Sequence, residues 1–161
     1  MFKNKYLKLA VIAGGVVLFD QLTKALVLRT IPLNTTIPVI GGFFNLTHIH
    51  NPGGAFGIMA NLSATLRSII FLFISSLAVG LIFYFYKKTP THYTLLATAF
   101  ALIFGGAIGN LIDRIRLGMV IDFLDFYLGT VHWPAFNVAD SAISIGIGIF
   151  LYHIVFKKMP E

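Results

Sequence analysis

Four apolar stretches, each close to the length that crosses a bilayer as a helix, dictate what this chain can become. They cover residues 7–28, 68–86, 93–112 and 139–157, and about 20 predominantly apolar residues suffice to span the hydrocarbon layer. The first carries Asp20 and Lys24 toward its far end, and the second and third hold no formal charge. The fourth is apolar from Ser141 to Phe156 and takes neighbours such as Ala139 and Lys157 into its ends. With 57% hydrophobic and only 11% charged residues, the chain is too apolar for a soluble domain. The expectation is an all-α membrane protein, one domain over residues 1–161. Its four transmembrane helices are joined on the outer side by segments at about 29–67 and 113–138.

Lys3, Lys5 and Lys8 ahead of an apolar run mimic a secretory signal peptide. No small-x-small cleavage site closes the run, however, and Asp20-Gln-Leu-Thr-Lys24 continues it as a helix. The net charge of +6 is spread along the chain near the span ends, which points to anionic lipid headgroups and away from nucleic acid. Zero cysteines exclude thiol nucleophiles, disulfides and thiolate metal sites, and exclude that this chain is itself a lipoprotein. Cytoplasmic termini put Lys3, Lys5, Lys8, Lys87, Lys88, Lys157 and Lys158 inside, against Lys24, Arg29, Arg67, Arg114 and Arg116 outside. All the aspartates then lie toward the outer face.

Four of the five aspartates, Asp113, Asp122, Asp125 and Asp140, fall between the apolar run that ends at Ile112 and the one that begins at Ser141. Ionisable groups beside a membrane span are costly to desolvate and mark function, in contrast to the carboxylates of a solvated loop. The simplest such function is a paired-carboxylate site. Spacing alone leaves open which two of the four meet. Asp20 and Lys24, four apart on one helix face, form an ion pair that is structural before it is catalytic. His92 and His153 fall toward the cytoplasmic side, away from the aspartates. His48 and His50 share a strand face that a metal could use, but no further ligand stands nearby, so neither metal nor cofactor is expected.

The outer segment has a β character of its own. Thr36–Ile40 and Phe43–His50, punctuated by Gly41-Gly42 and Asn51-Pro-Gly-Gly, read as a small sheet lying on the membrane surface. The glycines there are hinges or, more simply, positive-φ turns. Three glycosylation-like triplets begin at Asn34, Asn45 and Asn61, a pattern too short to carry weight. Phe43, Phe44, Phe56, Phe123, Phe126, Tyr127 and Trp133 suit an interfacial aromatic belt, with Phe56 and Trp133 the candidates to line an acyl-chain groove. Small residues four apart, Gly105 and Gly109, Ala142 and Gly146, Ser144 and Gly148, predict close packing of the third and fourth helices. That packing joins Asn110, Asp113 and Arg114 to Asn137 and Asp140.

Four blocks together, Asp20-Gln-Leu-Thr-Lys24, Asn51-Pro-Gly-Gly-Ala-Phe56, the run from Gly105 to Phe123 and Pro134-Ala-Phe-Asn-Val-Ala-Asp140-Ser, resemble the bacterial lipoprotein signal peptidase (signal peptidase II) family. They cover nearly the whole chain. The one departure is Gly54, where the family commonly has alanine. The resemblance implies an intramembrane aspartyl endopeptidase of the bacterial inner membrane, monomeric, that cuts prolipoproteins just before a diacylglyceryl-modified cysteine. It implies Asp122 and Asp140 as the catalytic pair, with Asn51, Gly53, Asn110, Asn137, Asp113, Arg114, Asp20 and Lys24 in support. In this reading the three asparagines bond substrate or carboxylates, Arg114 holds the substrate main chain, and Asp113 orients Arg114 or caps the local turn. Asp125 is a surface or supporting group. The alternatives are a small proton-coupled transporter with an aspartate relay, for which internal repeats and mid-membrane polar residues are missing, and an assembly factor without chemistry.

Overall fold

The computed structural model describes residues 4–53 and 62–156; Lys3, Gly54, Phe56, Asn61, Lys157 and Lys158 lie outside them. Its elements run in the order α1 (Lys5–Thr30), β1 (Thr36–Ile40), β2 (Phe44–Asn51), α2 (Ala64–Lys88), α3 (Thr94–Leu117), β3 (Val120–Leu128), β4 (Val131–His132) and α4 (Val138–Phe156). All four helices are long and apolar enough to cross a membrane. Their ends follow local chemistry. The Asn4 side chain accepts from the Tyr6 and Leu7 amides and starts α1, and Ser63 caps α2 at the Leu66 amide. Gly118, at φ +73°, ends α3 in the left-handed conformation and returns its amide to the Arg114 carbonyl.

α3 is the hub. α1, α2 and α4 all pack on it, and α1 also touches α4. Small side chains make the approach possible. A Cβ on Gly106 would run into the Ala139 carbonyl and come within 2.7 Å of the Ile143 side chain, and one on Gly146 would come within 2.6 Å of Ile103. The third and fourth helices therefore meet as the small residues predict, but Gly105 turns to α1, where an added Cβ would lie 2.9 Å from Ala13 Cα, while Gly148 faces open space. Consecutive helix positions differ by about 100° around the axis, so Gly105 and Gly106 serve different neighbours. Outward-facing Leu18, Leu22, Phe73, Leu77, Leu151 and Val155 form an apolar exterior of the kind hydrocarbon solvates.

The chain is mostly helical and carries, as expected, a small sheet, which has four antiparallel strands in the order β1-β2-β3-β4. β1 and β2 match the two β-prone pieces. β3 stands where the sequence suggested only an outer loop. It lies between β2 and β4 and is buried through Val120–Phe123, so it lacks the polar alternation that advertises a half-exposed strand. Ile121 and Phe123 pack with Val27 and Ile31 of α1's end, which fastens the sheet to the helices. α3 also continues to Leu117, past the apolar stretch that ended at residue 112, so Asp113 and Arg114 are helical. At the opposite end of the bundle, Lys5 donates to the Lys87 and Thr89 carbonyls, Lys8 donates to Thr94, and the Tyr86 hydroxyl bonds the Lys5 carbonyl.

Candidate active site

The start of α4 builds half of the site. Asn137 precedes the helix and exchanges two bonds with Asp140: the Asp140 amide donates to Asn137 Oδ1 at 2.9 Å, and the Asn137 amide donates to Asp140 Oδ2 at 3.3 Å. This is a capping box with asparagine and aspartate in its two roles. The next free amide, that of Ala139, is taken by Asp20 Oδ1 from α1 at 2.9 Å. Carboxylates gather here because the first amides of a helix need acceptors and its N-terminus carries partial positive charge.

The other half is the strand. Asp122 on β3, only 2% exposed, accepts from Asn137 Nδ2 at 2.7 Å and from Asn51 Nδ2 at 2.8 Å. Asn51 ends β2, and its Oδ1 takes the Gly53 amide at 2.9 Å. Gly53 sits at φ +91°, where a side chain would collide with Phe71 of α2. On α3, Asn110 donates to Asp140 Oδ1 at 2.8 Å, and its own Oδ1 accepts from Lys24 Nζ at 3.0 Å and Asn137 Nδ2 at 3.2 Å. An ammonium can only donate, so the Asn110 amide is fixed with its nitrogen toward Asp140. Asn110 of α3 and Asn137 just ahead of α4 thus link Asp122 to Asp140.

Lys24 is buried beneath this frame and spends all three protons, on Asp20 at 2.9 Å, Asp113 at 2.8 Å and Asn110. Asp113 does not turn to Arg114. It meets Lys24, accepts from Gln21 Nε2 at 2.9 Å and takes the Ile121 amide at 3.3 Å, because adjacent helical residues point in different directions. Arg114 reaches back to the Asn110 carbonyl at 3.5 Å and lies over the Phe71 ring, and it forms no direct ion pair among the described residues.

Burial pushes the Asp122 carboxyl up to about 6; the Asp140 charge adds to the rise, while bonds from Asn51 and Asn137 and the charge of Lys24 restrain it. A carboxyl so poised can carry a proton near neutral pH. Asp125 is different. Residues three apart on a strand turn away from one another, and Asp125 bonds Asn45 Nδ2 at 2.8 Å and His132 Nδ1 at 2.8 Å. Burial opposes its charge, but the bonds from Asn45 and His132 hold the carboxyl below its ordinary value. The structure therefore brings Asp20, Lys24, Asn51, Asn110, Asp113, Asp122, Asn137 and Asp140 into one network, with Gly53 and Arg114 at its edge, and leaves Asp125 outside it.

An apolar cavity of about 700 Å³ opens beside Asp140, between α4 and the strap Trp133–Phe136, with Ser141, Ser144 and Ile145 on its wall. Trp133, one of the two groove candidates, lines it; the other, Phe56, lies outside the described residues. His48 bonds the Ile31 carbonyl and His50, so both rings have protein partners. No group of three or more His, Asp or Glu residues is arranged to hold a metal among the described residues. Three participants escaped the sequence reading: Gln21, Asn45 and His132. Gln21 stands three residues before Lys24 on the same helix face, a signal that was present. Asn45 stood out only as the start of a glycosylation-like triplet and His132 in no motif, and strand pairing brings both to Asp125.

The family model of Signal peptidase (SPase) II matches residues 12–156. The lipoprotein signal peptidase of Desulforapulum autotrophicum is 55% identical over 96% of this chain and 95% of its own length. That of Syntrophus aciditrophicus is 45% identical over 99% of this chain and 98% of its own. A bacterial membrane enzyme solved by the in meso method at 1.9 Å resolution is 32% identical, with a TM-score of 0.83, and covers 94% of each chain. A match of this extent leaves no room for a separate transporter or scaffold lineage: the chain belongs to the signal peptidase II family, the lipoprotein signal peptidases, and is a multi-pass protease of the bacterial membrane.

Proposed function

We propose that Asp122 and Asp140 form the catalytic pair with which this peptidase removes signal peptides from prolipoproteins, cutting just before the diacylglyceryl-modified cysteine. The observation that carries the reading is that Asn137 bonds both carboxylates, by its side chain and by its backbone amide. The ionised member of the pair takes a proton from a water that attacks the scissile carbonyl carbon, while the protonated member donates to the carbonyl oxygen. The tetrahedral diol then collapses: the C–N bond breaks as the leaving amine takes the proton drawn from water, a diol hydroxyl returns its proton to the other aspartate, and the pair is restored. Two carboxylates linked through shared hydrogen-bond partners hold one proton between them more cheaply than they ionise together. Asn51, Asn110 and Asn137 are spent on the carboxylates and on one another, so they orient the pair, and Arg114 is left to hold the substrate main chain. Lys24 with Asp20 and Asp113 braces the frame.

The apolar cavity beside Asp140 suits acyl chains, each buried methylene contributing about 0.8 kcal/mol. Purified protein in detergent should cleave a diacylglyceryl peptide and barely touch the same peptide without lipid. Equal rates would overturn the lipid reading, and failure to cleave either would overturn the assigned activity.

The chain reads as a single domain with cytoplasmic termini and with the sheet and site at the outer face, because Lys5, Lys8, Lys87 and Lys88 lie at the bundle end away from the sheet. Reporter fusions after Lys88 and after Gly129 should report opposite compartments; the same compartment would contradict this topology. The proposed oligomeric state is a monomer. A particle of twice the chain mass by light scattering would contradict it.

A further inference from the structure

A second cavity, of about 390 Å³, lies on the sheet side of the strap that walls the first. Trp133, Pro134 and Ala135 line both cavities. The two differ in chemistry. The one beside Asp140 is apolar, whereas this one adds Thr36, Thr47, Asp125 and His132 to the apolar Ile49 and the strap. Asp125 is buried, takes no part in the Asp122–Asp140 network and is held by Asn45 and His132. His132 stacks flat on Tyr127 with ring centroids 4.8 Å apart. Because Nδ1 is spent on Asp125, Nε2 is left for another partner. A carboxylate offers about four acceptor positions, and these contacts leave some open.

Geometry limits what can reach this place. A substrate seated at Asp140 has three parts: an apolar signal segment in the bilayer, acyl chains that match the apolar cavity, and the mature chain beyond the cut. Only the last must leave the membrane for water. The sheet is the part of the molecule beyond the helix ends, and the strap lies between the pair and the polar cavity.

We propose that the polar cavity is a subsite for the first residues of the mature chain after the lipid-bearing cysteine, and that Asp125 makes it favour a basic side chain there and disfavour an acidic one. This rests on the assignment of Asp122 and Asp140 as the catalytic pair. A like charge brought near a carboxylate is repelled and an opposite one attracted, and such discrimination needs no new fold, only a charge in the right place.

The test uses two diacylglyceryl peptides, identical but for lysine or glutamate directly after the cysteine, with the full-length enzyme in neutral detergent. The lysine substrate should have the higher kcat/KM by about fivefold, the scale of a partly exposed charge contact, and added salt should shrink the ratio. Asp125→Asn should bring the ratio toward one, and Thr36→Lys, which places a cation at the exposed edge strand, should invert it. Equal kcat/KM for the two peptides, or a ratio that neither variant moves, would overturn the subsite while leaving the catalytic pair standing. Cleavage of neither peptide would overturn the pair, and the subsite with it.

Discussion

Asn110 and Asn137 meet side chain to side chain, the amide of Asn137 donating to the carbonyl oxygen of Asn110 at 3.2 Å. Through this contact α3 and the start of α4 hold Asp140 and Asp122 in one frame, and Lys24 anchors the frame from α1. A polar network in an apolar bundle is stable only when each member has its partner.

Lys24 is therefore the member whose loss should cost most. Lys24→Met leaves Asp20 and Asp113 buried with no cation, and removing one partner of a buried ion pair costs roughly 3–5 kcal/mol. The variant should melt well below the parent in detergent, and adding Asp113→Asn should recover part of the loss by removing the unpaired charge. A Lys24→Met protein with an unchanged melting temperature would show that the cluster is not held by this charge.

Gly109 marks the place where α1 reaches the start of α4. A Cβ there would lie 2.7 Å from Asp20 Oδ2 and 3.2 Å from Ala139 Cβ, and Asp20 cannot yield without releasing the Ala139 amide. Gly109→Ala should therefore destabilise by about 1–3 kcal/mol, the usual penalty of overpacking, and lower kcat more than it raises KM, since the substrate does not touch Asp20. Thermal melts and steady-state kinetics on the same preparation check both halves.

How much of this was legible in the sequence depends on the element. The helices follow from apolar length alone, and β1 and β2 from β-prone residues between glycines. β3 was not legible, because Asp122 and Asp125 interrupt an otherwise apolar run and a strand buried along much of its length shows no period of two. The motif blocks delivered the residues around the pair, but not the direction of each side chain. Asp113 faces Lys24 and not Arg114, because a one-residue step on a helix changes the neighbour. His132 reaches Asp125 only through the tight turn at Gly129, φ +60°, that folds β4 back on β3.

Acidity should report the pair. With Asp122 raised to about 6 by burial, kcat/KM should be bell-shaped, its alkaline limb beginning at about that pH as the shared proton is lost from the free enzyme. The limb of kcat should lie higher, because bound substrate excludes more water. The two apparent values belong to the pair. Stability carries the matching sign. The folded protein keeps the Asp122 proton where the unfolded chain, with an ordinary value of about 4, has lost it, so the contribution of Asp122 falls as pH rises between these values. The melting temperature of Asp122→Asn relative to the parent should accordingly be more favourable at about pH 7.5 than at about pH 5. A difference independent of pH would contradict the raised acidity.

The most direct measurement of the two-aspartate account is single-turnover cleavage of a diacylglyceryl prolipoprotein peptide by Asp122→Asn and Asp140→Asn, each first shown to be monodisperse and folded in detergent. Each substitution keeps the shape of the side chain and removes one proton-transfer role. The expected result is a loss of at least about a hundredfold to ten-thousandfold in the cleavage rate for either variant, with peptide binding retained, and parent activity that persists in a strong chelator. A folded Asp122→Asn or Asp140→Asn protein that cleaves at near the parental rate would contradict the account.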